Sequence, residues 1–211
     1  MRKSIGSILC AAALVLVMPA GVQAVAIINS STNVQIVAPP VSAASGDLES
    51  NNFFSVFEEQ TTIIGNQSVQ TVTVGESRNS NTGGTVSGLV TSFFVHFDKV
   101  GTGSGERELN DAFLEFDGTI VGIIWENSEL KATDKTLGLA GTDYTPALVR
   151  AYEGGDSLVF TALNRVDFSA VLTGPNVDSF RVLIAVPEPG AIVIFGLSLV
   201  CMGLSRRRRS I

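Results

Sequence analysis

His96 and Asp98 stand two residues apart in the stretch FFVHFD. That spacing puts both on one face of a strand, because successive side chains alternate. A His–carboxylate pair of this kind could serve general acid–base chemistry. No G-x-S-x-G elbow accompanies it, so serine-hydrolase chemistry has no support. A chain with 1 His cannot build a His-rich transition-metal site. Glycoside hydrolysis needs only two carboxylates, and Glu115, Asp117 and Glu126 are the candidates. The first two should lie roughly 7 Å apart along one strand face, as they would on any solvated acidic strand. A content of 1 Trp and 2 Tyr leaves few platforms for a sugar ring. The stretch DKVGTGSGERELND gathers Asp98, Glu106, Glu108 and Asp111 around a glycine-rich loop. Carboxylates beside loop carbonyls suit calcium, although the EF-hand spacing is missing; the alternative is a solvated acidic loop. No catalytic residue is assigned, and the chain is expected not to be an enzyme.

The elements around these residues read as strands. Phe93, Val95 and Phe97 alternate with His96 and Asp98; Ala112, Leu114, Phe116 and Ile120 with Asp111, Glu115, Asp117 and Thr119. Val166 to Leu172 and Phe180 to Ile184 repeat the pattern, the latter placing Ser179 and Arg181 on the polar face. Period two with one apolar face marks half-buried strands. Thr119 to Trp125 is apolar on both faces except at Gly122 and predicts a central strand. Gly154-Gly155-Asp156 predicts a tight hairpin between Val149–Tyr152 and Leu158–Leu163. Only Ser128 to Leu137 could hold a short helix. Short strands separated by turn-rich stretches such as RNSNTGG and TGPN predict an all-β fold, an antiparallel β-sandwich of jelly-roll type.

The two ends speak of destination. Arg2 and Lys3 precede the apolar run Ile8 to Val17, and Val22-Gln23-Ala24 carries small residues at −3 and −1 of a signal-peptidase site. Residues 1–24 thus read as a signal peptide cleaved after Ala24. Gly190 to Leu204 carries no charge and would reach roughly 22 Å as a helix. That is short for a hydrocarbon core of about 30 Å, so Arg206, Arg207, Arg208 and Arg209 must snorkel to complete one transmembrane helix. Arginines beside a span stay on the cytoplasmic side, which leaves the domain outside the inner membrane. Upstream, Pro187 and Pro189 flank Glu188 and keep helix from running past the span. The result is an extended peptide suited to a processing enzyme.

Val186-Pro187-Glu188-Pro189, the apolar run and the arginine cluster together resemble the PEP-CTERM sorting signal. The resemblance covers about the last 26 residues and the signal peptide that accompanies it. It implies export, handling by an exosortase-type membrane enzyme, and a link to exopolysaccharide-producing, biofilm-forming lifestyles. It implies nothing about the chemistry of the exported domain. The segment DGTIVGIIWENSELKATDKTLGLAGTDY with GGDSLVF resembles a region that recurs in ectodomains of PEP-CTERM proteins and has no assigned activity.

Between the ends, residues 25–186 are enough for one domain with its own core. Residues 25–48, rich in Ala, Ser and Pro, read as a partly ordered leader strand or linker; residues 186–211 form the sorting segment. All of the 20 Asp and Glu except Glu188 fall in the domain, against 8 of the 14 Lys and Arg, a net charge near −11. Such a domain repels nucleic acid and anionic lipid. Both cysteines, Cys10 and Cys201, lie outside it, so it holds no disulfide or thiolate chemistry. The expected role is structural or adhesive, at the cell surface or in the extracellular matrix. The alternative is a carbohydrate-binding module with Trp125, Tyr144 or Tyr152 on a groove or flat face and exopolysaccharide or matrix proteins as partners. A glycoside hydrolase ranks behind both. No cofactor is expected beyond calcium.

Overall fold

The computed structural model describes residues 24–77, 83–101, 103, 105–144, 150–152, 154–174 and 176–187. They contain nine strands and one short helix: β1 (Ile27–Ser30), β2 (Val34–Ile36), β3 (Phe54–Gln70), β4 (Gly83–Phe97), β5 (Arg107–Phe116), β6 (Ile120–Ile124), α1 (Asn127–Thr133), β7 (Ser157–Ala162), β8 (Arg165–Leu172) and β9 (Asp178–Ala185). Four strands form an antiparallel sheet in the order β1-β5-β8-β7. Five form a second sheet in the order β2-β3-β4-β9-β6. This second sheet is mixed, because β2 runs parallel to β3, so the all-antiparallel expectation holds for one sheet only. The parallel pair follows from the path of the chain: residues 37–53 return to the start of the sheet before β3 begins, where a two-residue turn would have forced an antiparallel neighbour.

The inner faces of the two sheets meet over one apolar core. Phe54 packs edge-on against Phe168 at 4.8 Å and Phe93 lies 5.0 Å from Phe116, each contact joining one sheet to the other. Val56, Val95, Leu114, Val166 and Val182 fill the same layer. The period-two reading of β8 holds strictly, with every second residue from Val166 to Leu172 buried.

A second core covers the opposite face of the mixed sheet. Phe57, Val90, Phe94 and Leu183 point into it and meet Leu130, Leu137 and Tyr144 from α1 and the loop that follows. The mixed sheet is therefore buried on both sides along its middle strands. The predicted helix over 128–137 forms only as α1, in whose last turn the Thr133 hydroxyl donates to the Glu129 carbonyl at 2.7 Å.

Within residues 25–48 the leader-strand alternative applies to two stretches, β1 pairing with β5 and β2 with β3, with Val25, Ile27 and Val34 against the core. Two local expectations change. The strand expected over 119–125 is β6 at the end of the mixed sheet, joined to β9 and touching β3 through Gln70 and Ile123. It is buried on both faces because the two cores meet around it. The turn at 154–156 joins no hairpin among the described residues: Arg150 bridges to Val177 and the Tyr152 amide donates to the Trp125 carbonyl at 3.3 Å. β7 pairs with β8 instead, across the turn at 163–164.

Candidate functional site

His96 and Asp98 sit at the end of β4 and are both buried, with 0% and 5% exposure. They do not bond to each other. The His96 Nε2–H donates to the Asp47 carbonyl at 3.3 Å, which leaves Nδ1 to accept from the Ser179 hydroxyl at 3.2 Å. Burial pushes the imidazole down to about 4; the Asp47 carbonyl opposes that shift and the Arg150 charge adds to it. The Asp98 carboxylate accepts from the Gly46 amide at 2.7 Å, and its carbonyl accepts from the Ser50 amide at 2.7 Å. Burial raises this carboxyl to about 6 against the pull of the Gly46 amide, and Glu49 and Asp47 raise it further. The two residues anchor the loop 46–50 on the sheet.

The proposed calcium ligands are dispersed. Asp98 is buried under the loop, whereas Glu106, Glu108 and Asp111 are exposed. Glu108 accepts from the Asn110 side chain at 2.8 Å, and the Asp111 amide donates to Ser169 at 3.2 Å. The carbonyls of Gly103 and Gly105 accept from the Lys99 ammonium, so a cation of the chain itself fills the glycine-rich loop. Among the described residues no three His, Cys, Asp or Glu side chains are placed to share a metal ion.

Two of the three carboxylates considered for glycoside hydrolysis tie distant segments together, and the third bonds to its own neighbour. Glu115 accepts from Asn29 at 3.4 Å, Asp117 from the Ala26 amide at 2.8 Å, and Glu126 from the indole of its neighbour Trp125 at 3.2 Å. Trp125, Tyr144 and Tyr152 are 5%, 6% and 3% exposed. This overturns the expectation that they form a sugar-binding face. Tyr152 packs edge-on to Phe180 at 4.9 Å, and the Tyr144 hydroxyl accepts from the Leu139 amide at 2.9 Å.

The densest polar site is one that sequence reasoning missed. Arg181 of β9, fully buried, donates to both oxygens of Glu59 on β3 at 2.8 to 3.1 Å. It also reaches Asp134 at 2.7 Å, the Leu130 carbonyl at 2.8 Å and the Thr133 hydroxyl at 2.7 Å. Arg150 forks onto both oxygens of Asp134 at 2.9 Å, and Ser92 donates to Glu59. Both guanidinium groups lie over the rings of Phe94 and Tyr144, 5.2 to 5.7 Å from their centroids. Burial works against the Arg181 charge, but Glu59 and Asp134 outweigh it and hold this guanidinium above its ordinary range. Arg150 has the weaker set of partners: burial lowers it, Asp134 opposes, and the Arg181 charge adds to the lowering. Two carboxylates face two guanidinium groups in this cluster, beside the hydroxyls of Ser92 and Thr133. A cleft of about 510 Å³ lined by Gln60, Lys135 and the loop 138–144 reaches the cluster at Asp134 and Tyr144.

At the other end of β9, Ala185 donates to the Thr119 carbonyl at 2.9 Å and Val186 to the Leu89 carbonyl at 3.0 Å. Val186 is buried and Pro187 exposed. Ala24, at the predicted signal-peptidase site, is exposed, and Val25 beside it belongs to the core. Val22 and the rest of residues 1–23, Glu188, Pro189, the predicted span at 190–204 and Arg206 to Arg209 lie outside the described residues. Among the described residues no helix is long and apolar enough to cross a membrane.

Residues 185–209 match the family model described as the PEP-CTERM protein-sorting motif. No curated protein and no solved structure matches the chain.

Proposed function

We propose that this chain is exported through its signal peptide, held for a time in the inner membrane by residues 190–204 with its domain outside, and then placed at the cell surface or in the extracellular matrix by an exosortase-type enzyme that acts on the Pro187-Glu188-Pro189 segment. The match of residues 185–209 to the sorting motif carries this reading. The role of the domain is structural or adhesive and not enzymatic. In support, His96 is fully buried, Glu115, Asp117 and Glu126 each accept a local hydrogen bond, and Arg181 and Glu59 face each other with no exposure. The net charge of the domain, near −11, favours neutral polysaccharide or basic matrix proteins as partners.

The test is the intact mass of the chain recovered from membrane and medium of its native host. Replacing Pro187, Glu188 and Pro189 by alanine is expected to leave export intact and to abolish C-terminal processing. Unchanged maturation of that variant would sink the assignment.

A further inference from the structure

The sorting motif and the folded domain overlap. The motif begins at residue 185, yet β9 runs through Ala185 and Val186 belongs to the core. β9 is paired on both sides, with β4 from Asp178 to Ala185 and with β6 near its end at Ile184. The amides of Ala185 and Val186 are spent on Thr119 and Leu89. Gly118 packs beneath this end so closely that a Cβ there would stand 2.6 Å from Ile184 Cγ2 and 3.4 Å from the Ala185 carbonyl, with Val25 Cγ1 at 3.6 Å. The shielding stops at Pro187, which is exposed.

Enzymes that act on peptides commonly hold them extended, through backbone hydrogen bonds and pockets for alternate side chains. Ala185 and Val186 have no amide to offer, and the Val186 side chain is held in the core. We propose that the fold sets the upstream limit of processing: the enzyme takes hold of the chain from Pro187 onward, the bond broken lies beyond Pro187, and the released domain keeps Pro187 at or near its end. In a hydrolysis at that place the peptide C–N bond breaks, the hydroxyl of water goes to the acyl carbon, and its proton goes to the amine of the departing apolar segment. The position of the cut in the cell rests on the sorting reading above; the shielding of β9 does not.

The experiment uses the full chain in detergent, digested with a broad-specificity protease and weighed intact. The resistant core is expected to end between Pro187 and Pro189, with the β-type circular dichroism unchanged. A core ending within Asp178 to Ala185 with that spectrum intact would overturn the inference. Prolines resist proteases by themselves, so a second variant carries six Gly and Ser residues inserted between Val186 and Pro187. Its core is expected to end within the first inserted residues; a core still reaching the prolines would show that they, and not the fold, set the boundary. In the native host the mature form is expected to end at Pro187 or later, and one ending earlier would also overturn the inference. A host form retaining Arg206 to Arg209 would remove the sorting reading alone, and the resistant cores would then decide the shielding.

Discussion

Arg181 donates to Glu59, Asp134, Thr133 and the Leu130 carbonyl from a site with no exposure. Replacing it with Met leaves Glu59 buried without its guanidinium partner, and uncompensated buried charge costs about 3–5 kcal/mol. Arg181→Met is therefore expected to lose that much in urea denaturation, whereas the double variant Arg181→Met, Glu59→Leu recovers part of it. His96 and Asp98 yield a second prediction. The imidazole falls from 6.5 to about 4 on folding, so its contribution is lost as pH drops through that range. The Asp98 carboxyl rises from 3.8 to about 6, so its contribution is present at low pH and lost as pH rises through that window. Between about pH 4 and 6 the two oppose each other. Asp98→Asn is expected to expose the His96 loss as a steady fall in urea midpoint below pH 6.5; profiles parallel to the parent would contradict this. Neither behaviour was legible in the sequence, where period two placed His96, Asp98 and Arg181 on an outward polar face. The alternation itself was correct, since these residues do oppose the core between the sheets. What covers them comes from elsewhere in the chain.

That cover is an element-scale fact. α1 and the loop to Tyr144 lie on the mixed sheet through Leu130, Leu137 and Tyr144. Seven helical residues are too few to be stable alone, so α1 exists because it is docked. Leu137→Ala is expected to cost about 2–5 kcal/mol in urea denaturation and to speed hydrogen exchange of the α1 amides more than those of β8. At the far edge, Gly122 lets β6 approach β3: a Cβ there would lie 2.8 Å from the Val69 side chain. Gly122→Val is expected to destabilise by about 1–3 kcal/mol through overpacking, read from the same denaturation curves. The sequence marked Gly122 as the one interruption of an apolar strand without showing its neighbour, because the contact joins segments about fifty residues apart.

The whole domain has no cysteine, so its stability rests on two apolar cores and the ionic cluster between the mixed sheet and its cover. A reducing agent is expected to leave the melting temperature unchanged. Chelation is the complementary test. With the Lys99 ammonium on the carbonyls of Gly103 and Gly105, removing calcium with EDTA is expected to leave melting unaltered; a drop of several degrees on chelation would revive a calcium site. The segment before the first strand also approaches the last one, since Val25 and Ile184 both lie against Gly118. The two places expected to be processed thus adjoin the same end of the domain.

The sequence by itself determined the C-terminal sorting motif, the β class, the alternation of β5, β8, β9 and the end of β4, and the absence of cysteine from residues 25–186. Each of these depends on local order: a run of apolar residues, a period of two, a Pro-Glu-Pro turn, a count. Only the tertiary structure decided which polar face is covered, that β2 runs parallel to β3, that the aromatic residues are core, and that Glu59, Asp134, Arg150 and Arg181 form one cluster. Those four are separated by up to 122 positions along the chain, and nothing in local periodicity records which distant segments will be packed together. The physical reason is that burial of charge is set by the neighbour that excludes water, and that neighbour is chosen by the fold.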